Sequence, residues 1–200
     1  MRKTLLTASL FLLSVACFAQ TANDDYRAAE QRAQNGDVEA MMWLGNYFYS
    51  VTPNSLTTSK IRYGDIEKAE YWYKKAYKKG SLDGMYCYAA IKEDAKLMKK
   101  AADKGHYQAA YDYAEYLLCQ GGSRDKQRKQ TIKAIRYLVM AADGGYGIAH
   151  AYWRLGKICE YPDTGYDYYS IERAKKYYTK GYEAGDEQCG RELRRMSGDY

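Results

Sequence analysis

The chain has 200 residues and a formal net charge of +6, with two of its cations, Arg2 and Lys3, at the extreme N-terminus. That mild positive balance suits solubility and gives no argument for a nucleic-acid partner. Two prolines stand against seventeen glycines and 24 tyrosines, and low proline with abundant Ala and Lys favours helices.

Met1-Arg2-Lys3 is a short basic start. Leu5 to Phe18 follows as an almost uncharged apolar run, and Ala16 and Ala19 place small side chains just before Gln20. This is the order of a secretory signal. The apolar run is about 14 residues, short of the roughly 20 that span a bilayer, so a membrane anchor fits less well. Two processing routes compete. Cutting after Ala19 puts Cys17 and Ala19 at the small-residue positions. Cutting before Cys17, within Leu13-Ser14-Val15-Ala16-Cys17, would make a lipoprotein, but the leucine sits one place too far from the cysteine. The first route fits better. Residues 1–19 are therefore expected to be a signal peptide and the mature chain periplasmic or secreted, with a lipid anchor on Cys17 as the alternative. No later segment is apolar enough to span a membrane.

Beyond the leader the chain repeats itself. Asn23 to Gln34 reads as an N-terminal helix with Ala28 and Ala33 on it, closed by Gly36. Ala40-Met41-Met42-Trp43-Leu44-Gly45-Asn46-Tyr47-Phe48 reads as the next. Ser50 to Gly64 is a loop by composition, and Lys68-Ala69-Glu70-Tyr71-Trp72-Tyr73-Lys74-Lys75-Ala76 is a helix ending at Gly80. Ala69, Trp72 and Ala76 fall at i, i+3 and i+7, one stripe of a helix. The small residues admit a neighbouring helix and the ring fills the gap beside them. Glu93 to Gly105 is a weaker copy. Ala109 to Leu117 is another first helix, and Gln120 to about Gln130 a predicted loop. Lys133 to Gly145 is a second helix, Ala151 to Cys159 a first, Tyr161 to Tyr169 a loop, and Arg173 to Gly185 a second. Glu187 to Met196 closes the chain as a polar capping helix. Gly36, Gly80, Gly105, Gly145 and Gly185 are the expected left-handed helix-ending residues. The fold class is all-α, an α-solenoid of about four helix-turn-helix repeats with a cap at each end.

The frame Ala-x-x-x-Leu-Gly-x-x-aromatic, then Lys-Ala-x-x-Trp-x-x-Lys-Ala-x-x-x-Gly, resembles the Sel-1-like repeat, a relative of the tetratricopeptide repeat. Ala40 to Gly80 is the best copy. The resemblance covers residues 23–196, in units of about 36–80, 81–105, 106–145 and 146–185. The second unit is short by a turn or two, with Gly84 and Tyr88 where Ala and Leu are usual, and the Gly-x-Gly turn between the two helices is missing. Some secreted relatives tie each helix pair by a disulfide. That needs a cysteine in the second helix, and none is present.

The pattern holds little catalytic chemistry. His106 and His150 lie in different repeats without a local partner, so no metal and no cofactor is expected; His106, following a helix end, reads as solvated. Cys87, Cys119, Cys159 and Cys189 form an even set in an oxidising compartment, but their sites in the frame differ and pairing is not implied. Cys159 and Cys189 read as small buried hydrophobes. Ser123-Arg124-Asp125-Lys126 matches the Ser-x-x-Lys motif of penicillin-recognising enzymes, yet lies in a predicted loop without the accompanying Ser-Asp-Asn and Lys-Thr-Gly elements. The basic run Arg124 to Lys133 reads as a solvated face or as a contact for an acidic partner or anionic glycan.

Tyr88, Tyr113, Tyr137 and Tyr177 are core by the repeat frame. In the related tetratricopeptide fold the first helices line a concave surface. That resemblance implies a partner-binding groove of Met42, Asn46, Tyr49, Tyr86, Tyr111, Glu115, Trp153 and Lys157, joined by Glu39, Asp83, Gln108 and His150. Met42, Tyr86, Tyr111 and Trp153 share one place in the frame, a ladder of large side chains of the types enriched in interface cores. The same rings could equally pack between neighbouring first helices. Starting the last unit at Gly145 in place of Gly147 would put Ala151 in the ladder instead of Trp153. The leading reading is a non-enzymatic scaffold or adaptor in the periplasm or cell envelope that binds another protein or an extended peptide. The alternative is an envelope glycan or peptidoglycan binder with tyrosines stacking on sugar rings. A β-lactam-interacting enzyme comes third.

Overall fold

A computed structural model describes residues 25–50, 63–144, 149–160 and 168–198. The leader, Cys17 and most of the expected loops Ser50 to Gly64 and Tyr161 to Tyr169 lie outside them. All the regular structure among the described residues is helical. Helix α1 covers 25–34, followed by α2 (Val38–Ser50), α3 (Tyr63–Lys78) and α4 (Leu82–Ile91). Then come α5 (Ala95–Asp103), α6 (Tyr107–Leu118), α7 (Arg124–Asp143), α8 (Ala149–Glu160), α9 (Ile171–Glu183) and α10 (Glu187–Ser197). The chain divides into two compact units, 1–91 and 92–200. In the first, α3 packs between α2 and α4. In the second, α5 to α10 pack in sequence, each against the next.

The turns after α1, α3, α5 and α9 share one construction. Gly36, Gly80, Gly105 and Gly185 have φ near +95°, a left-handed backbone that favours glycine. Each is followed at once by a residue that caps the next helix. Asp37 Oδ1 accepts the Ala40 N–H at 3.1 Å, and Ser81 Oγ accepts that of Gly84 at 2.9 Å. His106 Nδ1 accepts the Ala109 N–H at 3.0 Å, and Asp186 Oδ1 those of Gln188 and Cys189 at 2.7 and 3.0 Å. His106 is thus an N-cap with its side chain half-buried, which corrects its reading as a solvated residue. The cue was available: a side chain that accepts at Nδ1 directly after a helix-ending glycine. Gly145 lies outside the described residues, and α7 ends on Gly144 in right-handed geometry.

The seams of the α2–α3 and α8–α9 pairs rest on a missing methyl group. A Cβ on Gly45 would lie 2.4 Å from the Tyr73 ring, and one on Gly156 would lie 2.3 Å from the Tyr178 ring. Both rings are buried, Tyr178 completely. The third unit carries Ala114 and Leu138 at the same two places, a larger small residue opposite a smaller large one, and both are fully buried. Each seam tyrosine reaches a polar partner at its far end: Tyr73 OH donates to Asn46 Oδ1 at 2.8 Å, and Tyr178 OH to Glu160 Oε2 at 2.9 Å.

This corrects the expected core. Of Tyr88, Tyr113, Tyr137 and Tyr177, only Tyr137 is buried, and the other three are half-buried. The deepest rings sit one place later, four residues after the structural alanine (Ala69 to Tyr73, Ala174 to Tyr178). The i+3 site flanks the seam, whereas the i+4 site points into it. Trp72 at i+3 is nevertheless buried, and it joins Leu44, Phe48, Tyr73 and Ala76 in the first unit's core. In the second unit Cys159, Ala174, Tyr178 and Cys189 form one core cluster. Cys189 fits because Gly181 leaves room: a Cβ there would lie 2.3 Å from the Cys189 sulfur. The four described cysteines are free thiols, with Cys119 exposed and Cys159 and Cys189 buried.

The expected loop from Gln120 to Gln130 is mostly helix. Helix α7 starts at Arg124, with Ser123 as its N-cap and Asp125 in its first turn. A polar run of good helix formers extends the helix outward without an apolar stripe to announce it. The Ser-x-x-Lys match resolves into this cap, in which Ser123 Oγ accepts the Lys126 N–H at 3.4 Å.

Candidate partner-binding surface

The residues proposed for the groove fall in both units, and each unit arranges its own. In the first, Met42 is half-buried against the core. Asn46 is turned to its seam tyrosine, Tyr49 is 62 % exposed, and Tyr86 is half-buried on α4. Burial, with Cys87 and Tyr49 nearby, holds the Tyr73 phenol well above its ordinary value, and burial raises the Cys87 thiol to about 11. The sequence reading missed a pair of stacked, partly exposed rings on α2. Trp43 and Tyr47, 42 % and 41 % exposed, stack in parallel at 5.4 Å, and Tyr26 of α1 tilts onto Tyr47 at 5.6 Å. Their i, i+4 spacing one step off the core stripe was the available signal.

The second unit brings Tyr111, Glu115, Trp153 and Lys157 into one surface on α6, α8 and α10. His150 is its centre. The His150 ring stacks on Trp153 at 4.7 Å with 19° between planes, and Tyr111 lies 6.2 Å away on α6. Its Nδ1 sits 3.2 Å from Asp186 Oδ2, at the start of α10. The partner that His150 lacked locally is thus 36 positions away. Arg154 donates two bonds to Glu115, 2.6 and 2.8 Å, tying α8 to α6 in a forked pair. Burial works against the Arg154 charge, but the bonds to Glu115 outweigh it and its pKa rises. Burial and the Glu115 charge push Tyr111 up to about 12. Lys157 binds Glu192 of α10 at 2.5 Å, and Arg195 bridges Glu192 and Glu160. Arg154 and Lys157 also lie 5.9 and 5.8 Å from the Trp153 ring. Gly156 faces Tyr178 as Gly45 faces Tyr73, which fixes the register of the last unit. Ala151 is then the buried structural alanine, and Trp153 shares its place with Tyr111.

This surface can hold a ligand by ring contact and charge. Among the described residues no three His, Cys, Asp or Glu side chains gather closely enough to hold a metal. No described helix is long and apolar enough to cross a membrane.

Stacked helix pairs with glycine-seated rings define a helical-repeat protein of the tetratricopeptide-like class. The chain belongs to the Sel1 repeat family, whose sequence model matches residues 38–55, 58–81, 95–106, 108–146 and 149–186. Proteins of this family generally act through protein–protein contacts and are generally non-catalytic. Among solved structures, a Sel1 repeat protein from Oxalobacter formigenes matches with a TM-score of 0.59 and 19 % identity, over 88 % of this chain and 74 % of that one. Immunity protein Pa5087 from Pseudomonas aeruginosa matches with a TM-score of 0.54 and 19 % identity, over 82 % of this chain. This chain spans 59 % of that protein's length. Both likenesses concern the fold. No curated protein matches in sequence.

Proposed function

We propose that the chain is a non-catalytic interaction scaffold of the periplasm or cell envelope. It takes a protein partner on the first-helix face around Tyr111, His150 and Trp153. The observation that carries this is the state of those rings. Each is half-buried, held in place by a neighbouring ring or ion pair, so that its remaining edge is pre-positioned and loses little freedom on binding. Arg154 and Lys157 beside Trp153 supply the charged flank, and aromatic residues with Arg are the types that dominate interface energetics. The leader at 1–19, cut after Ala19, would deliver the chain to that compartment. Mass spectrometry of the mature N-terminus tests this, and a diacylglyceryl group on Cys17 would replace it with the lipoprotein route.

The test of the surface is site-specific photo-crosslinking in cells. A crosslinker at position 111 or 153 should give a discrete protein adduct, and one at exposed Lys175 or Lys176 should not. Tyr111→Ala should remove the adduct formed from position 153 while shifting the melting temperature only slightly. If Tyr111→Ala and Trp153→Ala strongly lower the melting temperature while the adduct is unchanged, these rings are core and the reading fails.

The glycan reading has its own observation in the first unit. Trp43, stacked on Tyr47, borders an open cavity of about 370 Å³ that Asp25, Arg32 and Glu39 also line. A flat ring beside hydrogen-bonding charges is what a sugar ring requires. Trp43→Ala should abolish retention on peptidoglycan or polysaccharide if this reading holds.

A further inference from the structure

The basic run that opens α7 is not absorbed by the first-helix surface, and the structure gives it a geometry. Helix α5 has 9 residues and α7 has 20. The two are tied where the Tyr137 OH donates to Asp103 Oδ1 at 2.8 Å, so the short helix matches only the later part of the long one. Residues 124–129 are exposed throughout. Lys126, Lys129, Lys133 and Arg136 follow at i, i+3, i+7 and i+10, one stripe that runs from this uncovered start to the part of α7 beside α5. All four are exposed, and among the described residues none is in a salt bridge. The nearby acid at the far end, Asp103, is already bound by Lys99 at 2.5 Å. Asp125 sits on the edge of the stripe.

The stripe rises about 15 Å along the axis. A single phosphate or small carboxylate reaches at most two of its cations, and each exposed pair is worth little alone. The occupant must therefore present several negative charges in register. Steps of about 4.5, 6 and 4.5 Å match carboxylates at i, i+3, i+7 and i+10 of a second helix. At its end the stripe meets a cavity of about 440 Å³ lined by Lys99, Asp103, Lys133 and Arg136, with Tyr113 and Met140 beside them. The Tyr113 and Met140 side of this recess suits a large apolar side chain carried by an acidic segment. A flat sheet of lipid headgroups would leave it empty.

We propose that this face of α7, with the cavity at its end, docks an acidic helical segment of a protein partner. This is a second surface, independent of the Tyr111–Trp153 face. The test uses the full mature chain and a labelled helical peptide with Glu at i, i+3, i+7 and i+10 and Leu one turn beyond, read by fluorescence anisotropy. The Glu peptide should bind, and its Gln counterpart should bind about tenfold more weakly or worse. Binding should fall as salt rises from about 0.1 to about 0.5 M. Replacing Lys129, Lys133 and Arg136 together by Glu should cost about tenfold or more. Replacing exposed Lys175, Lys176 and Arg191 by Glu should stay within about twofold, with both triple variants melting like the parent. Tyr111→Ala and Trp153→Ala should leave peptide binding intact, which separates this proposal from the preceding one. Equal loss in the two triple variants would reduce the effect to net charge and overturn the proposal. So would failure of the Glu peptide to bind, or binding to phosphatidylglycerol–phosphatidylcholine vesicles in its place.

Discussion

The α2–α3 pair and the α8–α9 pair are built on the same seam and carry different faces. In both, a first-helix glycine seats a second-helix tyrosine ring whose hydroxyl finds a first-helix acceptor, Asn46 or Glu160. Outside that seam they part. Helix α2 leaves Trp43 and Tyr47 stacked in solvent, whereas α8 ties Trp153 to His150 and links through Arg154 to α6 and through Lys157 to α10. The repeated part is what the fold requires. The part that varies from unit to unit is free of that requirement, and it is where binding properties reside.

The largest effects should come from emptying the seam. Tyr178→Ala removes a fully buried ring and a hydrogen bond, at about 3–5 kcal/mol, and Tyr73→Ala should cost nearly as much. Denaturant unfolding monitored by circular dichroism reads both. Filling the seam from the other side costs less: Gly156→Ala forces a methyl group into the Tyr178 ring, at about 1–3 kcal/mol. The third unit supplies the cure, since it holds Ala114 opposite Leu138. The double variant Gly156→Ala with Tyr178→Leu should be more stable than the sum of its single variants by about 1 kcal/mol. A strictly additive double mutant would mean that the two seams are not equivalent.

The outer faces should respond more weakly and to different degrees. Glu115→Gln breaks the forked bond and leaves the half-buried Arg154 charge without its counter-ion, at about 1–2 kcal/mol. Trp43→Ala removes one ring that is 42 % exposed, and stability should fall by no more than about 0.5 kcal/mol. If Trp43→Ala destabilises as much as Glu115→Gln, the exposed stack is structural and the contrast between the faces collapses.

Much of the seam was legible in the sequence, because small residues and rings recur at helical spacing and the frame is repeated. Its register was legible only to within one position. Sites i+3 and i+4 from the structural alanine both carry rings in Tyr177-Tyr178 and in Trp72-Tyr73, so composition cannot say which one points inward. What decides is the facing glycine on another helix. The start of α7 was hidden for a different reason: a solvated helix has no apolar stripe, and only Ser123 and Asp125 mark where it begins. The surface around His150 was half legible. Frame counting placed Tyr111 and Trp153 together. The partners of His150 and Arg154, Asp186 and Glu115, lie 36 and 39 positions away, a distance no local motif spans.

The smallest expected effect is in acid, and it separates the two regions by mechanism. Glu192 in the second unit and Asp37 in the first both hold their carboxyls below the usual range. Burial works against the Glu192 charge, and Lys157 and Arg195 outweigh it. For Asp37 the leading cause is the Ala40 N–H that it caps, with the Arg32 guanidinium second. A depressed folded pKa contributes stability that is present above the unfolded value, near 4.5 for Glu and 3.8 for Asp, and that is lost as pH falls through the folded value. Melting temperatures should therefore decline below about pH 4.5, and Glu192→Gln should remove part of that slope. Raising the salt to about 1 M screens charge pairs but leaves a backbone N–H bond in place. Salt should flatten the Glu192 contribution, measured as the difference between parent and Glu192→Gln, more than the Asp37 contribution measured against Asp37→Asn. Equal flattening would show that Asp37 is held by Arg32 and not by its cap.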